Sequence, residues 1–190
     1  MPTRSLGRLE GGQLSAEETR AEDALANAPK AAADAVVVVT INHRLNVLGF
    51  ANLSEFSRDF AASGDAGMMD IVHALRWVRT NIANFGGDPD RVMIFGQSGG
   101  GAKTSVLMGA PAGKGLFHRA AVQSGSALRV TAADAGAQAA EKFLAKLGVD
   151  KKNIGSLQKK TWQELLAAQT SAGAGFSPVL DGTYLPHHPF

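Results

Sequence analysis

One serine of this sequence lies between glycines in a pattern suited to covalent catalysis. Ser98 is the centre of Gly96-Gln97-Ser98-Gly99-Gly100. A nucleophilic serine must hold its hydroxyl clear of its own backbone, and small residues two positions away on either side permit the sharp strand-to-helix turn that achieves this. At the start of such a helix, the backbone N–H of Gly99 can donate to a developing oxyanion. The pattern predicts Ser98 as the nucleophile and Gly99 as an oxyanion donor.

The residues around the motif decide its meaning, because Gly-x-Ser-x-Gly alone is a weak signal and also fits a purely structural glycine-rich turn. Residues 92–95, Val-Met-Ile-Phe, form a short apolar run that reads as a strand ending just before Gly96. Residues 102–108 are compatible with a helix. A strand, a tight turn and a helix in this order are what a nucleophilic serine requires.

The wider chain alternates strand and helix patterns, which favours an α/β fold with a mostly parallel sheet and helices on both faces. Residues 36–41 are β-branched and apolar on both faces, so they predict a central parallel strand. Residues 85–90 predict a turn. Residues 1–34 are poorly specified, and we assign 35–190 to one partial domain. Further elements are expected as helices at 67–83, 132–147 and 161–168 and as a strand at 120–123. A capping box at Thr161 and Glu164 is expected to open the last of these helices.

Composition narrows the class of partner. Nineteen Lys and Arg nearly balance 17 Asp and Glu, and neither sign forms a long run. The sequence therefore shows no basic cluster of the kind that binds nucleic acid, and a small-molecule partner is favoured. The absence of cysteine excludes disulfides, thiolate catalysis and cysteine zinc sites. We expect no metal and no organic cofactor. With no signal peptide and no apolar run of membrane-spanning length, we expect a cytoplasmic protein by default.

Several motifs together resemble the type-B carboxylesterase family, which includes bacterial p-nitrobenzyl esterases and the cholinesterases. The resemblance covers residues 36–190. It implies an α/β-hydrolase fold and cleavage of carboxylic esters through an acyl-enzyme on Ser98. Besides the motif at Ser98, the matching segments are Asn42-His43-Arg44-Leu45, Gly49-Phe50, Gly64, Gly67, Asp70, Ala74-Leu75-Arg76-Trp77-Val78, Asn81-Ile82, Phe85-Gly86-Gly87-Asp88-Pro89, Leu116-Phe117-His118-Arg119-Ala120, Gln123-Ser124-Gly125-Ser126, Phe176-Ser177-Pro178-Val179-Leu180-Asp181-Gly182 and Leu185-Pro186.

Departures from the family pattern bear on activity. Gln97 stands where Glu is frequent, Gly99 where Ala is frequent and His43 where Tyr is common; Gln97 and Ser124 are candidates for supporting roles beside Ser98. The family's His-Gly-Gly-Gly oxyanion loop should precede residue 36, where only Gly11-Gly12 is found. Its triad acid and histidine should follow residue 182 by a long stretch. We therefore expect the isolated chain to be inactive or very weakly active.

Three alternatives remain open. Asp181 with His187 or His188 follows Ser98 in the hydrolase order of nucleophile, acid and base, although residues 181–189 read as a structural loop. A catalytically silent, carboxylesterase-like binding module is the main alternative to an enzyme. A nucleotide phosphate loop is a distant third, because Ala102 separates the last glycine from Lys103.

The remaining polar and aromatic candidates are expected to be structural. His43 and His118 each flank a predicted strand, whereas His73 lies on the polar side of a helix and is expected to be solvated. Asp70 falls in a first helical turn and Asp88 in a turn, where carboxylates have structural uses. By helical spacing, Met68 and Trp77 are expected in the core.

Overall fold

The computed structural model describes residues 36–190 in full and residues 3–9 as backbone only. The described chain forms two compact units. The first unit contains residues 3–9, 36–42 and 71–128, and the second contains residues 43–70 and 129–190. The predictions that concern Gly11 and Gly12 lie outside the described residues.

The first unit is built on a parallel sheet of four described strands. These are β1 (Thr3–Leu9), β2 (Val36–Thr40), β3 (Gly87–Gln97) and β4 (Arg119–Gln123), in the spatial order β2-β1-β3-β4. Helix α3 (Gly99–Gly109) follows β3 at once and packs against β3 and β4. The α/β class and the parallel pairing predicted from the sequence are confirmed.

Two predictions about the sheet are wrong. In the described sheet, the strand at residues 36–40 lies at an edge and pairs only with β1, whereas a central position was expected. An apolar pattern on both faces of a strand indicates that other elements cover those faces. It does not indicate whether the strand has one neighbour in the sheet or two. The neighbour itself, β1, comes from the segment that the sequence left unspecified.

Strand β3 begins earlier than the sequence indicated. Residues 88–90 belong to the strand and not to a turn, and the chain turns instead at Gly86, whose φ is 80°. The β1–β3 register is irregular here, because Thr3 pairs with Gly87 and Ser5 with Val92. Pro89 therefore lies where the ladder is interrupted, which is where a strand tolerates a residue without an N–H donor.

The helix predicted at residues 67–83 is observed. In chain order, α1 (Asn46–Phe50) precedes it and α2 (Ala66–Asn81) is the helix itself, followed by a short 3₁₀ turn at Ile82–Phe85. Met68 is fully buried, as expected, but Trp77 is 47% exposed, so its assignment to the core was wrong. Trp77 packs instead on Phe85, with ring centroids 5.9 Å apart. The core side of the helix in the first unit is formed by Ile71, Val72, Leu75 and Val78, each 5% exposed or less.

The second unit is mainly helical. It contains α1, the first turn of α2, α4 (Ala133–Leu147), α5 (Trp162–Ala172) and a parallel pair of two-residue strands, β5 (Thr131–Ala132) and β6 (Val179–Leu180). Helix α4 ends at Gly148 in the left-handed region, and the capping box predicted at Thr161 and Glu164 is present. Among the described helices, none is long and apolar enough to cross a membrane. The apolar core of this unit comprises Val47, Ala51, Leu53, Ala140, Phe143, Leu144, Val149 and Ala168.

Candidate nucleophile site

Ser98 is the single residue between the end of β3 and the start of α3, and it is exposed. Its backbone angles, φ 53° and ψ −118°, lie in a region that residues other than glycine rarely adopt. Such strain persists only when the surrounding structure imposes it, and it concentrates at functional sites. The turn that carries Ser98 is therefore held in place by its neighbours.

The helix side of the turn is crowded at Gly96. A Cβ atom at this position would overlap the backbone of Gly100 and would lie 2.9 Å from its Cα. The carbonyl oxygen of Ser98 accepts the first helical hydrogen bond from Ala102 N–H, at 3.0 Å. The chain thus doubles back within five residues, and only a glycine at position 96 leaves room for it. This agrees with the steric role predicted for Gly96.

The sheet side of the turn is held by the end of β4. Gln97 pairs in register with Gln123, and the backbone N–H of Ser98 donates to the carbonyl oxygen of Gln123 at 2.9 Å. Ser124, directly after β4, also has a positive φ, 46°. Gln97, Ser98, Gly99 and Ser124 therefore meet where β3 and β4 end, as the carboxyl ends of parallel strands do.

Gly99 is the first residue of α3, so its backbone N–H has no acceptor within the helix. The N-terminus of an 11-residue helix also carries partial positive charge. The group is therefore suited to donate to an oxyanion formed next to Ser98. Gln97 and Ser124 are exposed beside it, positions that are compatible with supporting roles.

The described histidines near the chain's end and before β4 have structural hydrogen bonds. Nδ1 of His118 accepts from Val92 N–H at 3.2 Å, and His118 N–H donates to the Val92 carbonyl oxygen at 2.8 Å. His188 Nδ1 accepts from Val130 N–H at 3.3 Å, and His187 Nδ1 lies 2.8 Å from the His188 carbonyl oxygen. The exposed His73 agrees with its solvated assignment, and His43 is buried.

Asp181 organises the loop that contains it. Its Oδ1 accepts from the backbone N–H groups of Thr183, Tyr184 and Leu185 at 2.8 to 2.9 Å. One oxygen that binds three consecutive amides fixes a turn, which matches the structural reading of residues 181–189. Asp88 also binds a nearby backbone amide, here at the start of β3, since its Oδ1 accepts from Asp90 N–H at 2.9 Å.

Asp70 forms a forked ion pair with Arg44. Its two oxygens accept from Arg44 Nε at 2.8 Å and Nη2 at 2.7 Å, and Oδ2 also accepts from Arg44 N–H at 3.0 Å. Burial acts to raise the pKa of Asp70, but the hydrogen bonds and charge of Arg44, with a contribution from His43, outweigh it and lower the pKa. The pair joins the segment after residue 42 to the first turn of α2, so its role is structural.

Sequence reasoning missed Asp65, the most buried carboxyl group described. The residue is 0% exposed; Oδ1 accepts from Val179 N–H at 3.0 Å, and Oδ2 has no hydrogen-bond partner among the described residues. Burial raises its pKa to about 7 against the effect of the Val179 hydrogen bond, and the charge of Asp181 adds to the rise. A single Asp in a turn gives no periodic signal of burial.

The phosphate-loop alternative does not match the geometry. Residues 99–101 form the first turn of α3 and not a loop around a phosphate, and Lys103 is 7% exposed. Burial lowers the pKa of Lys103 to about 8. Among the described residues, no group of three His, Cys, Asp or Glu side chains could hold a metal ion.

The second unit contains a cavity of about 360 Å³ that is mainly apolar. None of Gln97, Ser98, Gly99 and Ser124 lines it. Its lining includes Val47, Leu48, Phe60, Met69, Phe143 and Leu165, with Arg44 and Asp59.

A strand that leads into a strained serine and then directly into a helix, within a parallel sheet, defines an α/β-hydrolase arrangement. The chain matches the model of the carboxylesterase family over residues 9–190, and it belongs to that family. The family predicted from the sequence motifs is confirmed.

Three comparisons illustrate the relationship. The chain is 39% identical over 168 residues to para-nitrobenzyl esterase of Bacillus subtilis (strain 168), spanning 84% of this chain and 34% of that protein. Its identity to neuroligin-2 of Mus musculus is 36% over 162 residues, spanning 81% and 19%. The crystal structure of the Geobacillus stearothermophilus carboxylesterase EST55 at pH 6.2 superposes with a TM-score of 0.88 at 39% identity, covering 99% of this chain and 40% of that chain. The chain thus spans about a third of the first relative's length.

Proposed function

We propose that the protein hydrolyses small-molecule carboxylic esters through an acyl-enzyme intermediate on Ser98. Ser98 Oγ attacks the ester carbonyl carbon, a C–O bond forms, and the hydroxyl proton passes to a general base. The tetrahedral intermediate then expels the alcohol, which takes up a proton. Water attacks the acyl-Ser98 ester in the same manner, releasing the carboxylic acid and restoring the serine.

The observation that carries the proposal is the conformation of Ser98. An exposed serine is held at φ 53° and ψ −118° between a parallel strand and a helix N-terminus. A structural turn would normally place glycine at such angles, since glycine adopts them without strain. A strained serine here is explained if its hydroxyl must be presented to a substrate.

Gly99 is the proposed oxyanion donor. As the negative charge develops on the carbonyl oxygen, the Gly99 N–H, which has no acceptor within the helix, and the positive end of α3 stabilise that charge where it forms. Gln97 and Ser124 are proposed as supporting residues because they flank Ser98 at the ends of β3 and β4.

Hydrolysis of p-nitrophenyl acetate and butyrate by the purified 190-residue chain tests this function. We expect slow turnover, because three described histidine rings are engaged with backbone groups: Nδ1 of His118 and of His188 each accept from a backbone N–H, and Nδ1 of His187 lies beside a carbonyl oxygen. Removal of the triad histidine from a serine hydrolase lowers turnover by about 10⁶-fold. Ser98→Ala should abolish the remaining turnover, whereas Ser126→Ala, an exposed serine beyond β4, should not change it.

Two outcomes would revise the proposal. Turnover that survives Ser98→Ala would remove Ser98 from the role of nucleophile and favour a catalytically silent module with an adventitious activity. The wild-type chain could instead turn over rapidly and lose this activity equally in Ser98→Ala and in the double variant His187→Ala/His188→Ala. That result would assign a complete triad to Ser98, Asp181 and these histidines.

A further inference from the structure

We propose that Gly125 is a positioning residue for Ser98: its lack of a side chain lets the turn after β4 close onto the Ser98 peptide and impose the angles that present the hydroxyl. The inference deepens the proposed function and rests on it for its catalytic consequence. Its structural part concerns only the backbone of Ser98 and can be measured independently of any reaction.

Gly125 approaches the Ser98 peptide closely. A Cβ atom built at Gly125 would overlap the carbonyl oxygen of Ser98, and it would lie 2.7 Å from the carbonyl carbon and 3.0 Å from Cα. Distances below 3.0 Å are essentially never found for real Cβ atoms, and every atom involved is backbone, which cannot swing aside as a side chain would. Any larger residue at position 125 therefore requires the Ser98 peptide or the turn after β4 to shift.

The backbone conformation of residue 125 offers no simpler reason for glycine. Where described glycines adopt positive φ, they are Gly86, Gly115, Gly148, Gly173 and Gly182, and Gly125 is not among them. The φ of residue 125 thus does not call for glycine. Close packing against Ser98 is the remaining physical reason for the missing side chain.

The contact acts on a peptide group that sets the angles of Ser98. The N–H of Ser98 donates to Gln123, and its C=O accepts from Ala102 at the start of α3. Both peptide groups that set φ and ψ of Ser98 are therefore held, and Gly125 packs on the one next to the helix. A methyl group there would push the Ser98 carbonyl, so the strained angles could no longer be kept with both hydrogen bonds intact.

The matched control is Gly155. A Cβ atom at Gly155 would meet nothing within 4 Å, and its φ is not positive. Gly155→Ala therefore adds the same methyl group to the chain without a clash. Any effect of alanine on the unfolded state is shared by both variants.

The decisive experiment is an NMR comparison of the full chain, its Gly125→Ala variant and its Gly155→Ala variant. We expect Gly125→Ala to shift the Ser98 amide and Cα resonances and to speed exchange of the Ser98 amide roughly tenfold or more relative to core amides such as Ile94. Gly155→Ala should leave both unchanged. Unaltered Ser98 resonances and exchange in folded Gly125→Ala would overturn the proposal.

A double-mutant cycle covers the case in which Gly125→Ala does not fold. Glycine at position 98 can adopt many more backbone angles, so Ser98→Gly should relieve much of the clash. We expect the Tm loss caused by Gly125→Ala to be smaller in the Ser98→Gly background, or folding to be restored there. An equal loss in both backgrounds, or failure to fold in both, would contradict the assigned contact.

The rate of labelling by a fluorophosphonate probe separates this inference from the proposed function. If the wild-type chain is labelled at Ser98, Gly125→Ala should slow the labelling of Ser98, whereas Gly155→Ala should keep the wild-type rate. If the wild-type chain is not labelled, the proposed function fails, and the NMR comparison still decides the positioning role.

Discussion

The backbone N–H of Ser98 donates to the carbonyl oxygen of Gln123 at 2.9 Å, which links the strained serine to the neighbouring strand β4. The helix that follows the serine holds it from the other side, through the Ala102 hydrogen bond. Because Ser98 is already held from two directions, little further orientational freedom is lost when a substrate binds. This is the condition for a preorganised nucleophile.

Gly96, near the end of β3, should be intolerant of change. Gly96→Ala forces a methyl group against the Gly100 backbone, so we expect a loss of about 1–3 kcal/mol or more in the free energy of unfolding. Gly175→Ala, with open space around position 175, is the control. Urea unfolding of both variants is the measurement, and equal midpoints would refute the crowding argument.

Asp65 should make stability depend on pH. Its pKa is raised from 3.8 to about 7 in the folded state, so the folded protein resists losing a proton that the unfolded chain releases readily. Stability should therefore fall as the pH rises from about 4 to about 7 and stay level above that, with each pKa unit equivalent to about 1.4 kcal/mol.

Asp65→Asn tests this because the amide keeps an acceptor for Val179 N–H but cannot ionise. The variant should gain stability over the wild type as the pH rises from about 4 to about 8, measured by urea unfolding at several pH values. Asp59→Asn, at an exposed position, is the control. A difference between Asp65→Asn and wild type that does not change with pH would disprove the assignment.

The cap of α5 should contribute measurably to the second unit. Thr161 Oγ1 accepts from Glu164 N–H at 3.3 Å, and Glu164 Oε2 accepts from Thr161 N–H at 2.8 Å. Thr161→Ala removes the first of these bonds, and such changes cost about 1 kcal/mol. We expect a lower unfolding midpoint than for Ser171→Ala, an exposed change on the same helix. Identical midpoints would show that the helix start does not limit stability.

The turn that carries Ser98 could be predicted from the sequence because its residues are contiguous. An apolar strand, the glycines around Ser98 and a helix-compatible segment are local signals, and each has a steric or conformational reason. The capping box at Thr161 was equally readable. In both cases the residues that give the local signal lie in one short segment of the chain.

The rest of the site depends on contacts between distant segments. The closure of Gly125 on Ser98 joins residues that follow different strands, and no local pattern marks it. Trp77 followed helical spacing but lies beside the buried stripe of α2, at 47% exposure. Asp65 is buried and accepts from the N–H of Val179, 114 residues away. Tertiary packing decides such cases, and a single sequence does not encode them in a periodic form.

The role of Ser98 as nucleophile is tested most directly by covalent labelling of the protein with an organophosphonate ester probe, followed by intact mass and peptide mapping. We predict one adduct, on Ser98, that disappears in Ser98→Ala and persists in Ser126→Ala. A labelled Ser98→Ala protein, or an adduct mapped to another residue of the wild type, would contradict the assignment of Ser98 as the nucleophile.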